Sequence, residues 1–327
     1  MKEAIDLYFD ENYGQLYEKV ENGIAQIFTY EDENGKITNQ FLKREIPEKI
    51  EGKTFFDLVT PYGYGGPVVE FSNNKEKLLK NFEKEFTKYC LENNVVSEFV
   101  RFHPIIKNYE DFEKIYNAQY MRKTLITKLD EENPVQNQFG KSCRKNIRQA
   151  INKGISFKII KAPETIGTFK EIYYSTMDRN NATDYYYFDD EYFNNILKYY
   201  KENLILVEAI YEEKTIAAGL YFIYKDIIHI HLSGTLNEYL FLSPAYVLRY
   251  AVTLWGIENG YKLIHHGGGR SNSEEDSLYL FKKNFARTYD GDFYIGKKIW
   301  NKDIYNKLCE MKNINQEESF FPAYRKN

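Results

Sequence analysis

The sequence predicts an α/β protein with mixed (α+β) sheets, built from two domains that repeat one order of elements. Three observations lead there. Residues 204 to 234 hold three β-rich segments separated by short polar connections, which read as an antiparallel meander. A helix, a short strand and a second helix follow it. The N-terminal half gives the same order in weaker form, as a duplicated unit would.

In the C-terminal half, "NLILVEAIYEEKTIAAGLYFIYKDIIHIHLSG" divides into strands at 204–211, 215–224 and 227–233, joined at "EEK" and "KD". "SPAYVLRYAVTLWGIENG" then offers Ser243 as N-cap, Pro244 at the first helical position, a face of Val247, Leu248, Ala251, Leu254 and Trp255, and Gly260 as the stop. "YKLIHHGGG" reads as a short strand, and the three- and four-residue spacing of Leu278, Phe281, Lys282 and Phe285 predicts a helix from Asp276 to Ala286. In the N-terminal half, "GIAQIFTYEDENGKITNQFLKREI" makes a hairpin across Asn34-Gly35. "TFFDLVTPYGYGGPVVE" holds a strand and a glycine-rich loop, and "NKEKLLKNFEKEFTKYCLENN" is a helix. "VVSEFVRFHP" is a strand and "YEDFEKIYNAQY" another helix. The domains are expected at 1–121 and 122–294, with 295–327 packing back on the first.

Composition narrows the function classes. With 43% hydrophobic and 28% charged residues, the 327-residue chain falls in the soluble globular class, and no run approaches a membrane span. Its first residues are acidic where a signal peptide is basic, which leads us to expect a cytoplasmic protein. Cys90, Cys143 and Cys309 are too far apart for zinc spacing, and no disulfide is expected. A net charge of -4 excludes a generally basic, nucleic-acid-coating surface, so no DNA partner is expected. One local patch stands out in "KSCRKNIRQAINK", where Lys141, Arg144, Lys145, Arg148 and Lys153 cover one side of a helix ended by Gly154. It reads either as a solvated face or as a phosphate or RNA contact. "TDYYYFDDEYF" reads as a loop entering a helix from about Asp189.

The chemistry-bearing residues are sparse. Lys282 stands among apolar neighbours, either laying its stem on aromatic surface or serving as an electrophile. His229 and His231 alternate on one strand and so face one side, while His265 and His266 precede three glycines. No carboxylate or cysteine lies at ligand spacing beside them, so no metal is expected and one or two are expected to line a cleft. No serine or cysteine sits in a nucleophile pattern.

The order of meander, helix, strand and helix resembles the GNAT acetyltransferase fold, and two such halves resemble the Fem aminoacyltransferases (FemAB-like). "TPYGYGGPVVE" is similar to that family's aromatic "Y-x-x-x-GP" loop and "EFVRFHP" to its "LRFDP" strand. "YYSTMDRNN" is similar to "Y-x-x-M-x-x-R-x-G", and "YKLIHHGGG" with "DSLYLFKKNF" to "LYDLGG" followed by "DSLYxFKxxF". The resemblance runs from about Asp57 to Ile299 and is to the shorter members without a coiled-coil arm.

This resemblance implies two GNAT-like domains packed around an interdomain cleft. It also implies direct transfer of an aminoacyl group from aminoacyl-tRNA to an amine of a peptidoglycan, cell-wall precursor, with no permanently bound cofactor. It places Phe281 and Lys282 at the transfer site and puts His103 where the family carries an aspartate proposed to accept a proton. Tyr62, Tyr64, Arg101, Arg179, Tyr192, His231, His266 and Arg270 become candidate substrate-binding residues, and Arg144, Lys145 and Arg148 candidate donor-binding residues. Phe188 stands where an arginine for a nucleotide diphosphate is expected, and Lys19 or Glu21 where an N-terminal lysine is, which weakens the case for a UDP-linked acceptor. "SGTLNEYLFLSPAY" lacks the glycine loop that cradles the pyrophosphate of coenzyme A. An acyl-CoA-dependent N-acyltransferase acting on an amino sugar of a surface polysaccharide is the first alternative, and an inactive glycan- or peptide-binding module the second.

Overall fold

The computed structural model describes residues 4–314 and 320–326. They form two compact units, Met1–Arg122 with Asp292–Asn327, and Lys123–Gly291.

The first unit opens with two short helices, α1 (Glu11–Gln15) and α2 (Glu18–Glu21). Strands β1 (Gly23–Asp32), β2 (Gly35–Ile50), β3 (Lys53–Val59) and β4 (Val68–Ser72) follow, then α3 (Lys75–Glu92), β5 (Val95–Arg101) and α4 (Tyr109–Tyr116). Strands β1, β2, β3 and β5 neighbour in that order, with β4 on β2. The β1–β2 hairpin pairs Asp32 with Gly35, so its loop is Glu33-Asn34, one residue earlier than the sequence suggests. The reason is an Asx interaction: Asn34 N donates to Asp32 Oδ1 over 2.8 Å. Gly35 is needed for space, since a Cβ there would lie 2.3 Å from the carbonyl oxygen of Phe71.

Strands β3 and β5 are parallel, and a parallel pair needs a crossover, which α3 supplies. Asn74 caps that helix by accepting from Lys77 N, and Leu78, Phe82, Phe86 and Cys90 bury one stripe of it. The stripe packs on Val95, Val100, Phe102 and Phe112. Each fully buried phenyl ring contributes about 2 kcal/mol of transfer free energy, so packing rather than helix propensity holds α3 in place.

The second unit contains β6 (Gln119–Lys128), which the chain enters from the first unit, then α5 (Pro134–Gln138), α6 (Lys141–Asn152), β7 (Ser156–Lys161), α7 (Gly167–Arg179) and α8 (Asp190–Tyr200). The meander β8 (Leu204–Tyr211), β9 (Lys214–Tyr224) and β10 (Ile227–Thr235) agrees with the expected strands to within two residues. After it come α9 (Pro244–Glu258), β11 (Leu263–Gly267) and α10 (Ser277–Lys283). The strand order is β6-β11-β10-β9-β8-β7. Here too one pair is parallel, β10 with β11, and a helix, α9, makes the crossover. Both units thus repeat the scheme of antiparallel strands, crossover helix and parallel strand.

Helix α9 buries Val247, Leu248, Ala251 and Val252 against Ile205, Val207, Ile228 and Ile264. Ser243 occupies its N-cap position, but with φ 59° and no side-chain capping bond, so the start of α9 rests on Pro244 instead. Helix α10 ends at Lys283 rather than Ala286, and Phe285 turns inward just past its end.

The last elements, β12 (Tyr289–Ile299) and α11 (Lys302–Met311), lead back to the first unit, where Ile295–Ile299 pair antiparallel with β5. Tyr324 and residues of α11 pack on Ile46 and Val96. The fully buried Asp57 carboxylate accepts from Arg44 Nε at 2.8 Å and Arg325 Nε at 2.6 Å, which ties the C-terminal segment down. No described helix is long and apolar enough to cross a membrane.

Candidate active site

Helix α10 carries Phe281 and Lys282, and one carboxylate sets its place. Asp276 Oδ1 accepts from Tyr279 N at 2.9 Å, which caps the helix. Its Oδ2 accepts from Arg270 N and Ser271 N, both at 3.0 Å, which pins the glycine loop before the helix. Partial burial acts to raise the Asp276 pKa, but the donors from Tyr279, Ser271 and Arg270 win and bring it to about 2. The loop can come this close because residue 269 is glycine; a Cβ there would lie 2.6 Å from Asp276 Oδ1. Lys282 Nζ donates to the carbonyl of Gly268 over 2.7 Å, so its half-buried head is aimed at this loop.

Strand β11 delivers two histidines beside the loop. A bulge between His265 and Gly267 interrupts its pairing with β6; the two histidines alternate, His266 towards Arg249 of α9 and His265 towards His229, and both are buried. Thr127 Oγ1 donates to the Phe285 carbonyl at 2.8 Å, and its lone pair must then accept from His266 Nε2 at 2.8 Å. The ring proton therefore sits on Nε2, and Nδ1 accepts from Arg249 at 3.1 Å. Burial, then the charges of Arg249 and Lys282, push the His266 pKa well below its ordinary value, so the imidazole is neutral. His265 repeats the pattern, with Nε2 3.1 Å from Thr124 Oγ1, which donates to Gly291 O.

Aromatic rings close the site. Phe281 meets Tyr246 and Phe285 edge to face at 5.2 and 5.3 Å between centroids, and Phe139 meets Phe285 at 5.2 Å. Cys143 and Ile147 of α6 bury in this same cluster. The opposite side of α6 exposes Lys141, Lys145 and Arg148, so the basic face and the Phe281–Lys282 pair rest on one apolar support. Arg144 differs from its neighbours. Its guanidinium donates to the carbonyls of Gln136 and Phe139, so it fastens α5 to α6 instead of pointing at a donor.

The remaining candidates of this unit lie elsewhere. A second bulge lies between Ile230 and Leu232, yet His229 and His231 both face the side of Phe222: His229 pairs with Phe222, and the His231 ring lies 4.7 Å from the Phe222 ring. His229 is buried, whereas His231 Nε2 meets the Tyr192 hydroxyl at 2.7 Å. Burial, then His229, pushes the His231 pKa down to about 3, which keeps it neutral. Phe188 stacks on Tyr192 at 4.1 Å, so an aromatic platform stands where an arginine was expected. Arg179 donates to the Thr235 carbonyl at 2.6 Å and anchors α7 to β10, while Arg270 is exposed on the glycine loop.

In the first unit Tyr62, Tyr64, Arg101 and His103 do gather. Gly63 (φ 98°) and Gly66 (φ 82°) bend the loop, and Asn108 Nδ2 donates to the carbonyls of Gly65 and Pro67, both at 2.9 Å. Tyr64 packs edge-on to His103 at 5.4 Å, the Tyr62 carbonyl accepts from Tyr13 OH, and Arg101 donates to Thr60 O. His103 is fully buried, and its Nδ1 accepts from the backbone amides of Ile105 at 3.2 Å and Ile106 at 3.1 Å. The lone pair that a proton acceptor would use is thus engaged, and the geometry favours a strand-end anchor.

Sequence reasoning missed Asp276, Thr127 and Arg249. Asp276 carried a signal, an N-cap aspartate before an apolar run. Arg249 carried a fainter one, a cation inside the otherwise apolar helix "YVLRYAVTLW". Thr127 carried none.

Two units, each with meander, crossover helix and parallel strand, define a duplicated GNAT-like architecture, and the second unit carries a lysine–phenylalanine pair on a loop-held helix. The comparisons bear this out. Residues 110–212 match the FemAB family model. The UDP-N-acetylmuramoylpentapeptide-lysine N(6)-alanyltransferase of Weissella viridescens is 21% identical over 188 residues, 57% of this chain and 54% of that protein. The chain thus spans about half the length of that curated relative. The crystal structure of FemX superposes with a TM-score of 0.68 at 15% identity, covering 90% of this chain and 92% of that one. A tandem GNAT protein from the clavulanic acid biosynthesis pathway gives 0.52 at 8% identity over 84% of this chain and 83% of that one.

Proposed function

We propose that this protein moves an aminoacyl group from aminoacyl-tRNA to an amine of a peptidoglycan precursor. The observation that carries the reading is the placement of Lys282. Its ammonium is held by Gly268 beside Phe281, on the same apolar cluster that presents the Lys141, Lys145 and Arg148 face. A polyanionic donor would lie along that face and bring its acyl ester to the lysine. The neutral acceptor amine attacks the ester carbonyl and forms a C–N bond. The carbonyl oxygen gains negative charge, which Lys282 stabilises as a preorganised donor. The C–O bond to the ribose then breaks, and the ribose oxygen takes up a proton as the amine loses one. The aromatic cluster limits competing water.

No covalent intermediate on the protein is required. The cysteine of this cluster is unsuited to form one, since Cys143 is fully buried and burial pushes its thiol up to about 12. The match to an alanyltransferase that acts on a lysine-containing UDP-muramoyl pentapeptide supports an amine acceptor of that kind. The Phe188–Tyr192 platform supports recognition by stacking rather than by an arginine at that point. The test supplies the protein with charged tRNA or with acyl-CoA, each with and without a UDP-muramoyl pentapeptide. Acceptor-dependent release of uncharged tRNA is expected; release of thiol alone would overturn the choice of donor.

A further inference from the structure

Among the described residues, no carboxylate neutralises the charge of Arg249. Arg249 lies on α9 with 5% of its surface exposed, and among the described residues it makes no ion pair. Its one hydrogen bond from the side chain, to His266 Nδ1, ends on a neutral ring, and its guanidinium carbon lies 6.0 Å from the centre of Phe281. Guanidinium remains protonated in proteins, and a buried charge without a counter-ion is strongly destabilising, so buried arginines are normally paired with carboxylates. Here the second charge acting on the same imidazole is another cation, Lys282. Two cations act on one neutral ring, and no described carboxylate pairs with Arg249, which leaves its charge electrostatically incomplete.

We propose that Arg249 completes this locus by receiving an anionic oxygen of the substrate, from a phosphate or a carboxylate, next to Lys282. The charge is placed for it. His266 accepts from one guanidinium nitrogen and the Phe281 ring lies 6.0 Å from the guanidinium carbon, so the group is positioned before the ligand arrives. The inference rests on the transfer-site reading for which substrate brings the anion, but the binding it asserts is measurable without any transfer.

The experiment compares wild type, Arg249→Gln and Arg249→Lys by calorimetry with two probes. One is the trinucleotide cytidyl-cytidyl-adenosine, a phosphodiester source. The other is acetyl-lysyl-D-alanyl-D-alanine, a carboxylate source, set against its C-terminal amide. Arg249→Gln should weaken one probe at least tenfold and leave the other within twofold, with part of the loss restored in Arg249→Lys; the probe affected names the source. If Arg249→Gln fails to fold, the histidine ring signals of wild type decide, since an anion on Arg249 must move the His266 resonances at saturation. The inference is overturned if wild type binds neither probe, if folded Arg249→Gln binds both as wild type does, or if the His266 signals stay still on saturation. A chain that binds through Arg249 yet transfers nothing would keep this inference and sink the transferase reading.

Discussion

Lys282 and Gly268 are joined by a 2.7 Å hydrogen bond from the ammonium to the backbone carbonyl, so the lysine is held by the loop that precedes its own helix. This contact separates a fixed electrophile from a side chain that only covers apolar surface. Lys282→Met keeps the stem volume and removes the donor. Its thermal midpoint should stay near wild type while turnover falls about a hundredfold, the loss of about 3 kcal/mol of transition-state stabilisation. Turnover within a factor of two of wild type would return Lys282 to a packing role.

Asp276 holds both the helix start and the loop. Asp276→Ala removes the cap and the acceptor of the Arg270 and Ser271 amides. Loss of such a cap costs about 1 kcal/mol of stability. Because the loop carries Gly268, turnover should fall with little change in KM, read from initial rates. A pure stability loss, with wild-type turnover below the melting transition, would show that loop and lysine are not coupled.

Glu98 gives a pH prediction for the first unit. Its carboxylate is almost fully buried, accepts from Asn39, Tyr116 and Trp300, and burial, outweighing those bonds, raises its pKa to about 7. The folded pKa is above the unfolded one, so the folded state holds the proton more tightly. Its contribution is complete below about pH 4.5 and is lost as pH rises through 7. The decline is on the order of 3 kcal/mol at most. Denaturant titrations from pH 4 to 8 should show this slope in wild type and a flatter curve in Glu98→Gln. Equal slopes would assign the pH dependence to other groups.

The basic helix makes two separable predictions. Lys145→Glu with Arg148→Glu should weaken tRNA binding and lower its salt dependence with little effect on stability, since both side chains are exposed. Arg144→Ala should do the opposite, lowering the melting temperature through the freed carbonyls of Gln136 and Phe139 with little change in the salt slope. Filter binding at several salt concentrations, beside calorimetric melting, checks both; unchanged affinity in the double variant would leave the face merely solvated.

His103→Asn should destabilise the fold by freeing the Ile105 and Ile106 amides, yet leave the pH profile of turnover unchanged. A rising limb near pH 6.5 that vanishes in this variant would restore the role of proton acceptor that the sequence suggests.

The elements themselves were legible because their signals are local. The meander showed as alternating β-branched runs, and α3 as a 3.6-residue stripe behind an asparagine cap. Lys282 was legible through its apolar neighbours. What escaped was set by distant partners. No local pattern tells that His231 meets the Tyr192 hydroxyl or that His266 accepts from Arg249. Arg144 looked like the rest of its basic face until the carbonyls at the end of α5 claimed it. Thr127 fixes the His266 tautomer from 139 positions away, a relation that no local pattern records.

The most direct test of the central claim is a single-turnover assay with charged tRNA, a UDP-muramoyl pentapeptide bearing a lysine amine, and either wild type or Lys282→Met. The account predicts that wild type forms an amide on the lysine amine as uncharged tRNA appears, and that the variant binds both substrates but forms it about a hundredfold more slowly. Amide formation at the same rate in both proteins would contradict it, as would an absence of acceptor-dependent tRNA release in wild type.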